Sequence, residues 1–95
     1  MNRKVRYYYI FRGRVQGVGF RWTVLSLAQR YNYSGWIRNM YNGNVDMEIQ
    51  GDNLNIHSFI QEINKHARWA MIDDYSIKEL PVEEHEYGFD VKGYY

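Results

Sequence analysis

The sequence predicts an α+β fold, one antiparallel sheet with two helices packed on one of its faces. Three observations carry that prediction. Stretches rich in aromatic and β-branched residues alternate with two stretches of helical spacing. Their order is strand, helix, strand, strand, helix, strand, with a short strand appended. The 95 residues hold a single proline, no cysteine, no repeat and no linker, so one domain over 1–95 is expected.

The first strand is "RYYYIF", which puts Tyr7, Tyr9 and Phe11 on one face and Tyr8 on the other. After a glycine-rich loop, Phe20, Val24, Leu27, Ala28 and Tyr31 recur at helical spacing, giving a helix from about Arg21 to Tyr31. Asn32 tolerates the left-handed conformation that ends helices, with Tyr33 packing back as the next residue. "GWIRNMY" reads as the second strand, and Asn42-Gly43 is a hairpin signal. In "NVDMEIQG", Val45, Met47 and Ile49 point inward, while Asp46, Glu48 and Gln50 point outward. Asp52 serves as N-cap of a second helix with Ile56, Phe59, Ile60 and Ile63 on one face. Ile72, Tyr75 and Ile77 mark a fourth strand that Pro81 ends, and Phe89 with Val91 mark the last. This is the split βαβ, or ferredoxin-like, plan. It hosts many functions and settles none.

Composition narrows the classes. With 45% hydrophobic and 24% charged residues the chain is globular. The absence of cysteine excludes disulfides, a thiolate nucleophile and a zinc–thiolate site. No apolar run approaches a bilayer's thickness and the N-terminus lacks the pattern of a signal peptide, so a cytoplasmic protein away from membranes is expected. Charge is uneven: residues 1–39 hold eight Lys or Arg and no acid, residues 40–95 hold four basic and eleven acidic residues, so +8 and −7 sum to the net +1. That pattern fits a basic patch for nucleic acid, a positive field around a phosphate site, or halves that interleave in space.

Between the first strand and helix lies "GRVQGVGFRW", Gly13 to Trp22. In a βαβ unit such a turn presents free backbone N–H groups at the positive end of a helix dipole, where phosphate binds readily. Neither the Walker pattern nor the dinucleotide fingerprint is present. The residues alone leave two readings open: an anion-binding loop, or a glycine-rich connection with solvated arginines.

"GRVQGVGFR", followed by "GWIRN" and the Asn-Gly hairpin, closely resembles the acylphosphatase family, whose hallmark is G-x-V-Q-G-V-x-F-R later joined by G-x-V-x-N. The resemblance implies hydrolysis of acyl phosphates to carboxylate and inorganic phosphate. It implies that the backbone of Val15, Gln16, Gly17, Val18, Gly19 and Phe20 cradles the phosphoryl oxygens, that Arg21 binds the phosphate and that Asn39 positions the attacking water. It implies no metal, no other cofactor and no covalent phospho-enzyme. The chemistry is consistent with so few groups. The leaving carboxylate's conjugate acid has a pKa of about 4, so it departs without a general acid. Asn39 does not ionise, so it cannot act as a general base; the resemblance implies that an oxygen of the substrate phosphate takes the proton. The chain departs from the family pattern at Asn44, where Ser or Thr is frequent, at "HARWA", where Gly-Pro-Pro is frequent, and at Gly93, where an aromatic is common.

Two rival readings come from other classes. Exposed aromatics such as Tyr8 on an open sheet face resemble an RNA-binding domain, but the acids of "NVDMEIQG" on that face argue against nucleic acid. The other is a carbamoyl-phosphate-handling domain of the acylphosphatase type, as in hydrogenase maturation proteins. A chain of this length points to a stand-alone monomeric enzyme with a small-molecule partner. His57, His66 and His85 read as surface residues, Asp73-Asp74 and Glu83-Glu84 as solvated pairs, and Trp22, Trp36 and Trp69 as packing residues, with partial exposure open for Trp69. Ser26, Ser34, Ser58 and Ser76 lie in no nucleophile-elbow context.

Overall fold

The computed structural model describes residues 3–94. Strand β1 (Lys4–Arg14) is followed by helix α1 (Phe20–Arg30), then β2 (Ser34–Asn39), β3 (Val45–Asp52), α2 (Ile56–His66), β4 (Met71–Leu80) and β5 (Phe89–Tyr94). The five strands form one sheet in the order β4-β1-β3-β2-β5. β1, β2, β3 and β4 pair antiparallel as expected, but β5 joins β2 in parallel, with Gly35 opposite Phe89 and Asn39 opposite Tyr94, so the sheet is mixed.

Alternation in the strands and the helical stripes meet in one core. Tyr9, Phe11, Ile37, Val45, Met47 and Ile49 from the sheet pack against Phe20, Val24, Leu27 and Ala28 of α1 and Phe59, Ile60 and Ile63 of α2. Tyr9 and Phe11 stack at 5.3 Å between ring centroids, and Phe20 meets Phe11 edge-on at 5.2 Å. Burial, with the neighbouring tyrosines Tyr75 and Tyr7 adding to it, pushes the Tyr9 hydroxyl well above its ordinary pKa.

α1 ends as its sequence foretells. Asn32 is left-handed at φ 60°, and the Tyr33 N–H closes on the Ala28 carbonyl at 2.8 Å. α2 starts later than expected. Asp52 is held in the β1–β3 ladder opposite Lys4, so the cap is Asn55, whose Oδ1 accepts from the Ser58 N–H at 2.9 Å. In the β2–β3 turn the Gly43 N–H bonds the Met40 carbonyl at 3.1 Å, with Gly43 at φ 94°. Ile72 and Tyr75 lie three apart yet both pack on the core, because the β1–β4 register shifts between Arg12 and Gly13.

The face away from the helices corrects a further expectation. Asp46 and Gln50 are not solvated; they are buried, as is Arg6. Arg6 Nε donates to Glu48 at 2.8 Å, and its Nη1 donates to Gln50 at 3.2 Å and Glu86 at 2.7 Å. The segment 81–88 lies over this cluster, with the Gln50 amide bonding both the N–H and the carbonyl of Glu83 at 2.8 and 2.9 Å. Burial opposes the charge on Glu86, but hydrogen bonds from Arg6 and Ser34 outweigh it and hold its carboxyl below the usual glutamate range. Trp22 and Trp69 are exposed rather than packed, and Trp36 sits against the Arg38 guanidinium at 4.4 Å and the Lys92 ammonium at 4.9 Å.

Candidate functional site

β1 leaves the sheet at Arg14, and the chain crosses to α1 in five residues, 15–19. Val15 and Phe20 are buried at the two ends and pin the crossing to the core. Between them Gly17 and Gly19 adopt φ of 72° and 76°. A Cβ on either would meet no atom within 4 Å, so glycine serves the backbone angle there and the space above the loop is open. Val18, half-buried, packs against the core between them. Gly19 is the N-cap of α1; it offers no side-chain acceptor, and the first turn holds no acid. The first-turn N–H groups therefore point out at the positive end of the helix with no side chain from their own helix to satisfy them.

Arg21 lies in that first turn. Its Nη1 donates to the Lys92 carbonyl on β5 at 2.9 Å, and among the described residues no carboxylate pairs with it. That hydrogen bond aims one side of the guanidinium at the sheet and leaves the other donors of the fork available. It is a backbone contact, so Gly93 in place of an aromatic does not remove the link from β5.

Asn39 ends β2, opposite Val45 on one side and Tyr94 on the other. The residue is only 3% exposed, and its Oδ1 is buried with no hydrogen-bond partner among the described residues. A buried polar atom left unpaired costs roughly 1–3 kcal/mol, so native structures keep few of them. Gln16 joins this region to the loop. Its amide nitrogen donates to the Met40 carbonyl at 2.7 Å and the Asn44 carbonyl at 2.8 Å, the two ends of the turn that follows Asn39. Asn44 contributes main-chain groups here: its carbonyl also accepts from the Met40 N–H at 2.8 Å, and its N–H donates to Asn42 Oδ1 at 3.0 Å.

The structure thus brings the 15–20 loop, Arg21 and Asn39 to one end of the sheet. Other polar residues stay apart. His57 and His85 are exposed, His66 pairs with Glu62 at 3.3 Å, and the described residues contain no group of three or more His, Cys, Asp or Glu able to hold a metal. Tyr8 donates its hydroxyl to Asp46 Oδ2 at 2.8 Å. Sequence reasoning missed the side chain of Gln16 and the carbonyl of Lys92. A carbonyl carries no sequence signal, and the Gln16 contact spans 24 and 28 residues.

The acylphosphatase family model matches residues 7–91. An acylphosphatase of Clostridium beijerinckii is 42% identical over 88 residues, covering 93% of this chain and 98% of that protein. One of Bacillus pumilus is 33% identical, covering 94% and 99%. Among solved structures, acylphosphatase from Bacillus subtilis superposes with a TM-score of 0.83 at 30% identity, covering 93% of this chain and 98% of that one. Full-length HypF in its phosphate- and nucleotide-bound form matches 99% of this chain with 12% of its own, at a TM-score of 0.84 and 30% identity.

Proposed function

The chain belongs to the acylphosphatase family, and from that premise we propose how its residues share the hydrolysis of an acyl phosphate. The substrate is a mixed anhydride of a carboxylic and a phosphoric acid, and the products are carboxylate and inorganic phosphate. The backbone N–H groups of 15–20 and the free side of the Arg21 fork bind the equatorial phosphoryl oxygens, where charge must be stabilised as the phosphoryl group transfers. A water donates one hydrogen to Asn39 Oδ1, which turns its lone pair toward phosphorus. The new O–P bond forms as the bond to the acyl oxygen breaks. The bonding pair leaves with the carboxylate, and the water's proton passes to a phosphate oxygen.

One observation carries this reading: the buried, unpartnered Oδ1 of Asn39, in a residue whose following turn is tied by Gln16 to the loop that leads into an uncapped helix start. An acceptor that no described residue satisfies is suited to a water that must be held before it reacts. We propose also that the protein acts as a monomer, without nucleic acid and without a metal.

The test is release of phosphate from benzoyl phosphate, with and without chelator, beside p-nitrophenyl phosphate. Turnover unchanged by chelator and slow on the ester is expected, because no group in the site protonates a poor leaving group. Loss of turnover with chelator, or equal rates on both substrates, contradicts it. In an NMR titration inorganic phosphate should move the amides of Gly17 and Gly19 first; shifts confined to the face around Tyr8 contradict the site.

A further inference from the structure

We infer that the side chain of Gln16 is a positioning residue that sets Asn39 against the phosphate loop. The inference rests on the proposed use of Asn39 and adds a residue that touches neither substrate nor water.

The loop and the end of β2 are separate pieces of chain, and water attack in line with the leaving group requires them at one fixed spacing. An error of about 1 Å in such a spacing costs on the order of 10²-fold. Main-chain pairing alone does not fix it. Val15 begins after β1 has left the sheet, and Asn39 is the last residue of β2 before the chain turns away. The Gln16 amide spans that gap. Its nitrogen gives one hydrogen to the Met40 carbonyl at 2.7 Å and the other to the Asn44 carbonyl at 2.8 Å. Met40 is bonded covalently to Asn39, and the Met40 N–H is itself bound to the Asn44 carbonyl at 2.8 Å. One side chain thus fastens both ends of the turn to the loop, through the residue adjoining the water-holding amide.

The residue type is specific for this task. Two carbonyl acceptors require two donors on one atom, at the reach of two methylenes and a carboxamide. Glutamate offers no donor when ionised and sets a negative charge against two carbonyl oxygens. Methionine keeps length and bulk and offers no donor. Asparagine is a methylene short. Because Gln16 acts through the turn, its loss should displace the water-holding group while the loop, formed by main-chain N–H groups, still binds phosphate.

The experiment compares Gln16→Met, Asn39→Ala and the double variant with wild type, measuring kcat, KM and the dissociation constant of inorganic phosphate. Gln16→Met is expected to lower kcat at least about 10-fold with phosphate affinity within about 2-fold, and the double variant to turn over no more slowly than Asn39→Ala alone. Wild-type kcat in Gln16→Met overturns the inference, as does a parallel loss of phosphate affinity or a double variant with multiplied losses. A near-wild-type Asn39→Ala would instead overturn the underlying assignment, so the two failures are distinct. If circular dichroism shows Gln16→Met unfolded, Gln16→Glu replaces it. Its kcat relative to wild type should rise as acid protonates the carboxyl, which then donates one hydrogen bond; a ratio that does not rise overturns the inference.

Discussion

The two helices have the same length, eleven residues each, and begin in opposite ways. α2 is closed by its own sequence, with Asn55 accepting from the Ser58 N–H. α1 opens on Gly19, which has no side chain to accept anything, and no acid stands in its first turn. The charges of the basic first half are shared out unevenly. Arg3, Arg6, Arg12 and Arg38 find carboxylates at Glu79, Glu48, Glu86, Asp74 and Asp46. Arg14 and Arg21, on either side of the loop, find none among the described residues, nor do Lys4 and Arg30 at the far ends of their elements. The difference marks the end carrying the loop as the one with open donors, a cation without a carboxylate and an unpartnered amide oxygen among the described residues, the groups that a substrate would meet under the proposed function.

Breaking the open end should cost most. Arg21→Ala is expected to lower kcat/KM by about 10³-fold, with binding and turnover both impaired, because under the proposed function the guanidinium meets the phosphoryl group in ground and transition states. Arg21→Lys should recover little of this, since an ammonium lacks the planar fork. Steady-state kinetics on benzoyl phosphate checks both, and a Lys variant near wild type would remove the need for the fork.

Closing α1 should come next. There is room for a Cβ at Gly19, so Gly19→Asn and Gly19→Asp share the conformational cost of a left-handed residue, about 1–2 kcal/mol, and differ by one charge. The aspartate variant should bind inorganic phosphate at least about 10-fold more weakly than the asparagine variant. Equal affinities by calorimetry would mean that phosphate does not sit at this helix start. At the closed helix, Asn55→Ala should lower stability by about 1 kcal/mol in a denaturant titration and leave kcat unchanged.

The smallest effect is a pH dependence far from the site. Because the Glu86 carboxyl is held below its unfolded value, it stabilises the fold fully above the unfolded pKa, about 4.3, and that contribution is lost as pH falls through the lowered folded value. Stability should therefore fall on acidification from about pH 5 to pH 3, and less steeply in Glu86→Gln. An equal slope in the two proteins would mean that Glu86 does not titrate differently in the fold.

Particular residues show what the sequence could and could not disclose. Val45, Met47 and Ile49 are buried as their alternation requires, and Asn32 ends α1 as its chemistry allows. Alternation also put Asp46 and Gln50 outward, which is correct for the face and silent on their burial: Gln50 is bonded by a segment some 30 residues away with no periodicity to read, and Asp46 by the side chains of Tyr8 and Arg38 on neighbouring strands. Asp52 looked like the cap because capping is judged locally, while its pairing with Lys4 is not local. For the candidate site, the loop and Asn39 were named from the family resemblance of their motifs, and they remain the residues of the proposal. The burial of Oδ1 and the span of Gln16 depend on tertiary packing and were not legible.

The most direct measurement is Asn39→Ala examined for turnover and phosphate affinity together. With Asn39 holding only the water, kcat on benzoyl phosphate should fall on the order of 10²-fold or more, while KM and the dissociation constant of inorganic phosphate stay near wild type. A variant that keeps most of its turnover, or one that loses phosphate affinity in proportion to kcat, contradicts the account.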